Sequence, residues 1–159
     1  MSEQQQTLTI QQALDLAIQH HTAGRLSQAE TIYQQILQTD PDQPIALHLL
    51  GVIAHQTGKS NLAVDLITKA LRLKPDYATA YYFRGSAHFG KDNYDRAIAD
   101  YSEAIKLDGD FAQAYYVRGL VLAHFGKTDR TRAIADLKKA AELGYAKAAE
   151  KLRELGVTQ

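Results

Sequence analysis

Apolar residues return every three or four positions through most of this chain, with polar residues between them. Ile10, Ala13, Leu14, Ala17 and Ile18 form one helical stripe. Leu26, Ala29, Ile32, Tyr33, Ile36 and Leu37 form the next, and Gly24 marks the break between the two. The same reading predicts helices near 44–57, 60–73, 78–90 and 93–107, one from 112 to a turn at Gly126, and one near 132–143. Asp92 or Asn93 suits the N-cap of the helix near 93–107. Pro41, Pro44 and Pro75 all fall in breaks, where no helix interior has to tolerate them. A last helix over 145–155 puts Ala148, Ala149, Leu152 and Leu155 on one side, and Lys147, Glu150, Lys151, Arg153 and Glu154 on the other. That division suits a helix that closes an apolar end with a polar face. Residues 1–9 are polar, rich in glutamine and without a stripe, which predicts a disordered tail.

The breaks are themselves periodic. Gly51, Gly85 and Gly119 are 34 residues apart, Ala17 stands 34 before Gly51, and Ala29, Ala63 and Ala97 keep the same interval. Pro41 and Pro75 keep it too, and the next step lands on Gly109. Ala133 arrives two residues late, so the turn over 127–132 carries an insertion. A fixed period of this length means one supersecondary unit copied along the chain. The expected division is a tail at 1–9, repeats at 10–43, 44–77, 78–111 and 112–144, and a capping helix with its tail at 145–159.

This pattern resembles the tetratricopeptide repeat. The residues that carry the resemblance are Tyr81, Gly85, Ala97, Tyr101 and Ala104 in the third unit, and Leu47, Leu50, Gly51, Ala63, Ile67, Ala70 and Pro75 in the second. It covers the chain from Ile10 to the C-terminus. The first unit departs from it with Ala17 for glycine and Ile36 for alanine, and the third closes on Gly109 instead of proline. The resemblance implies an all-α, right-handed superhelical α-solenoid of antiparallel helix pairs. It also implies a protein–protein interaction scaffold, with the first helix of each unit facing the partner.

Composition narrows the function classes. Lysine plus arginine equals aspartate plus glutamate at 18 each, so no field favours nucleic acid or an anionic membrane. The absence of cysteine removes disulfides, thiolate nucleophiles and thiolate metal sites together. No apolar run approaches the roughly 20 residues of a membrane span, and the start lacks a basic-then-apolar signal. The expectation is a cytoplasmic protein with no cofactor, no nucleic-acid partner and no membrane partner.

Comparing the units with one another separates two kinds of charge. Before the glycine position stand Leu16, Leu50, Arg84 and Arg118; on the second helices the facing series is Ile32, Leu66, Asp100 and Asp136. Apolar meets apolar in the first two units, and arginine meets aspartate in the last two. An unpaired charge on a packed face is costly, so Arg84–Asp100 and Arg118–Asp136 read as structural ion pairs.

The partner-facing positions implied by the resemblance are apolar and aromatic. The candidate peptide-binding groove comprises His48, Leu49, Val52 and His55 in the second unit, Tyr82, Phe83, Ser86 and Phe89 in the third, and Tyr116 and Leu120 in the fourth. Tyr82 and Tyr116 are 34 apart and expected to stack along it as aromatic anchors. Some relatives grip acidic chaperone tails with a clamp of lysine, asparagine and arginine. The matching positions here are Leu14, Ile18, Leu49, Thr79 and Phe83, or His48, Val52, Phe83, Gln113 and Val117, which offer a carboxylate no cation.

Chemistry finds no foothold. His48 and His55 share a helix face but lie about 10 Å apart along the axis, too far for one ion, so no metal site is expected. Ser86 and His88 are two apart on a helix and diverge, and no third group is placed to orient a base. The reading is therefore a non-enzymatic scaffold that takes a protein or peptide ligand in an apolar, aromatic groove. Two alternatives stand beside it. The segments HHTAGRLSQAETIYQQIL and ALHLLGVIAHQTGK are similar to repeats that precede bacterial transferase-type domains, which implies a substrate-recruiting region of a larger enzyme. The other alternative is self-association into a homo-oligomer.

Overall fold

The computed structural model describes residues 7–125 and 129–158. Among them run nine α-helices and no strand: α1 (Ile10–Thr22), α2 (Leu26–Thr39), α3 (Pro44–Gln56), α4 (Ser60–Leu73), α5 (Ala78–Gly90), α6 (Tyr94–Leu107), α7 (Ala112–Phe125), α8 (Arg130–Glu142) and α9 (Ala146–Glu154). This is an all-α helical-repeat solenoid. The chain divides into two compact units, Met1–Lys74 with α1 to α4 and Pro75–Gln159 with α5 to α9. None of the described helices is long and apolar enough to cross a membrane.

In the first unit, α1 packs on α2, α2 on α3, and α3 on α4. Its core gathers Leu14, Ala17, Ala29, Tyr33, Ile36, Ala46 and Ile53. Residues 1–6 of the tail expected at 1–9 lie outside the described residues. Thr9, at its end, is the N-cap of α1: its hydroxyl accepts from the Gln12 N–H, and the Gln12 side chain accepts from the Thr9 N–H. Pro44 opens α3 at a position that needs no backbone donor.

In the second unit, α5 packs on α6, α6 on α7, α7 on α8, and α8 on α9. Gly85 and Gly119 recur where two helices come closest. A Cβ on Gly85 would lie 2.9 Å from Tyr101 Cε1 and 3.2 Å from the Ala97 oxygen. In the first unit, a Cβ on Gly51 would lie 2.6 Å from Ile67 Cγ1. The periodic glycine is thus the place where the first helix of a pair admits the large buried side chain of the second.

The turns within a pair share one hydrogen-bond scheme. After α1, the Gly24 N–H donates to the His21 oxygen and the Arg25 N–H to the His20 oxygen; α3 ends in the same way through Gly58 and Lys59. This ending requires a left-handed residue, and Gly24 has φ 77° and Gly58 φ 80°. After α5 the position belongs to Asp92, at φ 59°. Asn93 does occupy the N-cap of α6, but without a side-chain cap bond, and the Asp92 carboxylate accepts the Tyr94 hydroxyl at 2.9 Å. The helix expected near 132–143 begins earlier, at Arg130, because the Asp129 carboxylate caps it by accepting the Arg132 N–H. Gly126, where α7 was expected to turn, and residues 127–128 of the inserted turn lie outside the described residues.

Candidate functional site

The arginine–aspartate positions come together within each helix pair of the second unit. Arg84 Nε donates to Asp100 Oδ2 at 2.8 Å and Arg84 Nη2 to Asp100 Oδ1 at 2.7 Å, a two-pronged contact with Asp100 buried. Arg118 repeats it on Asp136 at 2.7 Å for each bond and adds Nη1 to Ser102 Oγ at 3.0 Å. Tyr81 lies under Arg84 and Tyr115 under Arg118, at 5.5 and 5.8 Å from the ring centres. His88 sits behind the first pair, 3.9 Å from Asp100 Oδ2. Burial pulls its pKa down against the pull of Asp100, so the ring is neutral at pH 7 and the contact is no ion pair.

Two of the four groove positions of the first unit are closed off from solvent. His48 is 2% exposed and Val52 3%, and Leu49 packs half-buried against the core. His48 and Val52 are therefore corrected from ligand-facing to packed positions. The reason is that α3 carries Ala46, Leu47, His48, Gly51, Val52, Ile53 and Ala54 buried on every side. A helix apolar all round has no single outward face to read. Burial, helped by His21, lowers the pKa of His48 to about 4. His55 is half-buried with its pKa also lowered by burial, and its Nδ1 has no hydrogen-bond partner. No group of three or more His, Asp or Glu that could hold a metal ion occurs among the described residues.

The second unit does present an open groove. A hollow of about 450 Å³ is lined by Phe89 from α5, Tyr116, Leu120, His124 and Phe125 from α7, and Lys147, Glu150, Lys151 and Glu154 from α9. Phe89 is 40% exposed and Phe125 46%, and the two lie side by side, so they form a contiguous apolar patch. They are held in place by rings: Tyr94 stacks on Phe125 at 3.9 Å, and Phe89 leans on both at 5.7 and 6.1 Å. His124 Nδ1 donates to the Leu120 oxygen at 3.0 Å in the tautomer that leaves Nε2 as an acceptor. On α9, Lys151 pairs with Glu154 at 2.9 Å.

Tyr82 and Tyr116 each meet the residue just before the second helix further along the chain, α7 for Tyr82 and α9 for Tyr116. Tyr82 meets Phe111 at 5.0 Å and Tyr101 at 5.8 Å, and Tyr116 meets Tyr145 at 4.9 Å. Burial raises the pKa of Tyr82, and that of Tyr101 to about 12. Phe83 packs edge-on to Tyr82 at 5.1 Å, and the Ser86 hydroxyl bonds to the Tyr82 oxygen at 3.1 Å and lies 3.2 Å from the Tyr101 hydroxyl. Tyr82, Phe83 and Ser86 are all half-buried. Phe125 and the charged row of α9 were absent from the positions expected by sequence. The supporting rings had a signal, since Tyr77, Phe111 and Tyr145 are spaced by 34.

Comparison with known proteins settles the family. A tetratricopeptide repeat model matches residues 14–78, and a TPR repeat model matches 85–125. The crystal structure of MamA superposes with a TM-score of 0.73 at 30% identity, covering 83% of this chain and 77% of that one. The chain belongs to the tetratricopeptide repeat family. A thermophilic TPR protein of Thermus thermophilus shares the fold, with a TM-score of 0.75, 24% identity and coverage of 91% of this chain and 83% of that one. The O-GlcNAc transferase of Thermobaculum terrenum superposes with a TM-score of 0.80 at 26% identity, over 84% of this chain but 26% of that one. No protein of curated function matches by sequence. As a tetratricopeptide repeat protein, the chain is a repeat scaffold of the protein-interaction kind.

Proposed function

We propose that this tetratricopeptide repeat protein is a non-catalytic scaffold that holds a segment of another protein in the groove of α5, α7 and α9. Phe89, Tyr116, Leu120 and Phe125 are the apolar contact surface, and His124 and the charged side chains of α9 form its polar rim. The observation that carries this reading is the pair of exposed phenylalanines at the mouth of a hollow of about 450 Å³. Aromatic anchors in a groove with a polar border are the usual source of affinity for a peptide segment. The helices preform the surface, so little ordering cost falls on the receptor. Tyr82, Phe83 and Ser86 lie on α5 but do not line this hollow, and Arg84–Asp100 and Arg118–Asp136 serve packing instead of ligand contact. His48 and Val52 stand outside the proposed site.

An array of synthetic apolar and amphipathic peptides, read by fluorescence, tests the proposal with wild type beside Phe89→Ser/Leu120→Lys. Peptides bound by wild type and lost from the variant, with circular dichroism unchanged, are the expected result. Equal binding to both proteins would sink it. A second reading has its own support: the likeness to a stretch of an O-GlcNAc transferase favours a role in recruiting a substrate protein for a transferase. In that role the same groove would hold the substrate.

A further inference from the structure

The face of the first unit formed by α2, α3 and α4 contains a second hollow, of about 160 Å³, unrelated to the proposed groove. Leu50, Ala54, Leu62 and Leu66 line it, with Glu30, Gln34, Thr57 and Lys59 around the edge. Leu62 is 46% exposed, and Leu50 and Leu66 are half-buried. The repeat supplies an internal control for what the fold needs at these positions. Moving 34 residues along converts Leu50, Ala54, Leu62 and Leu66 into Arg84, His88, Arg96 and Asp100. The same helix pair thus folds with a wholly polar set, where Arg84 and Asp100 bond at 2.7 Å. Packing alone does not require four apolar residues here, and an exposed leucine beside an apolar hollow marks a contact surface.

The arrangement also indicates what covers it. A protruding Leu62 adjoins a hollow with room for one branched aliphatic side chain. The edge charges are of opposite sign, and neither meets an opposite charge: Glu30 accepts only a 3.5 Å bond from Gln34, and the Lys59 ammonium has no ion pair among the described residues. Knob, hollow and both charges lie on one patch, as an isologous two-fold contact between copies requires. We infer that this face is a self-association surface, in which Leu62 of each copy enters the Leu50–Leu66 hollow of the other and Glu30 faces the partner's Lys59. A contact of this kind belongs to the small, weak class of specific interfaces, so the dimer forms in a concentration-dependent way.

Sedimentation equilibrium of the full chain over a wide concentration range tests it, with wild type beside Leu50→Arg/Leu62→Arg/Leu66→Asp, the residues that the next repeat already uses. Wild type is expected to rise from 17.6 kDa towards twice that mass as concentration increases. The variant is expected to keep its helical circular dichroism and to need at least about tenfold more protein for the same rise. Should the triple variant fail to fold, Leu62→Glu, at an exposed position, makes the same comparison. Wild type that stays monomeric throughout overturns the inference. So does a folded variant that dimerises like wild type, which would place any interface elsewhere; Leu120→Lys in the groove is expected to leave dimerisation unchanged.

Discussion

At the scale of single residues, two side-chain positions make strong demands. Gly85 is one, since a methyl group would press on the buried Tyr101 ring at 2.9 Å. Overpacking of this kind costs about 1–3 kcal/mol, against about 1 kcal/mol gained in helix propensity by alanine. Gly85→Ala is therefore expected to lower the thermal midpoint by a few degrees, measured by circular dichroism. His48 is the other. Its folded pKa of about 4 lies below the ordinary 6.5, so between those values the unfolded chain binds more protons. Stability is full above pH 6.5 and falls as pH drops towards 4, by about 3 kcal/mol from this residue. Leucine stands at the equivalent place in the first repeat, at Leu14, and urea titrations of His48→Leu across pH 4 to 6.5 are expected to show this slope removed. Sequence located His48 in its register but not its burial, because polarity suggested a surface where α3 packs between α2 and α4.

At the scale of elements, helix pairs meet through alternatives that the sequence itself exchanges. Leu50 and Leu66 fill in the second repeat the place of Arg84 and Asp100 in the third. Arg84→Ala strands a buried carboxylate and is expected to cost about 3 kcal/mol or more in urea denaturation. Arg84→Leu/Asp100→Leu, the set of the preceding repeat, is expected to cost far less, since no charge is left unpaired. The alternation of charge between repeats was legible because a buried charge and its partner must change together. The turn between α5 and α6 was legible too, but the left-handed backbone of Asp92 was not, because the usual signal for such a residue is glycine. The spacing of Gly24 and Gly58 nevertheless leads to it, 34 residues further on. Asp92→Gly is expected to raise the thermal midpoint, relieving about 1 kcal/mol of backbone strain net of the lost bond to Tyr94.

At the scale of the whole molecule, the repeat period of 34 was the most informative feature, since one interval located the helix pairs, their glycine contacts and the family. The groove was legible in part. Phe89, Tyr116 and Leu120 could be placed on it by register, whereas the α9 wall could not, because that helix reads as a cap and only folding turns Lys147 and Lys151 towards α7. In the proposed function, a partner segment lies against α5, α7 and α9. The most direct measurement is an amide NMR titration of the folded protein with the tightest peptide from the array. Shifts concentrated at Phe89, Tyr116, Leu120, Phe125 and along α9 are expected. Shifts confined to α2, α4, α6 and α8, with those residues undisturbed, would contradict it.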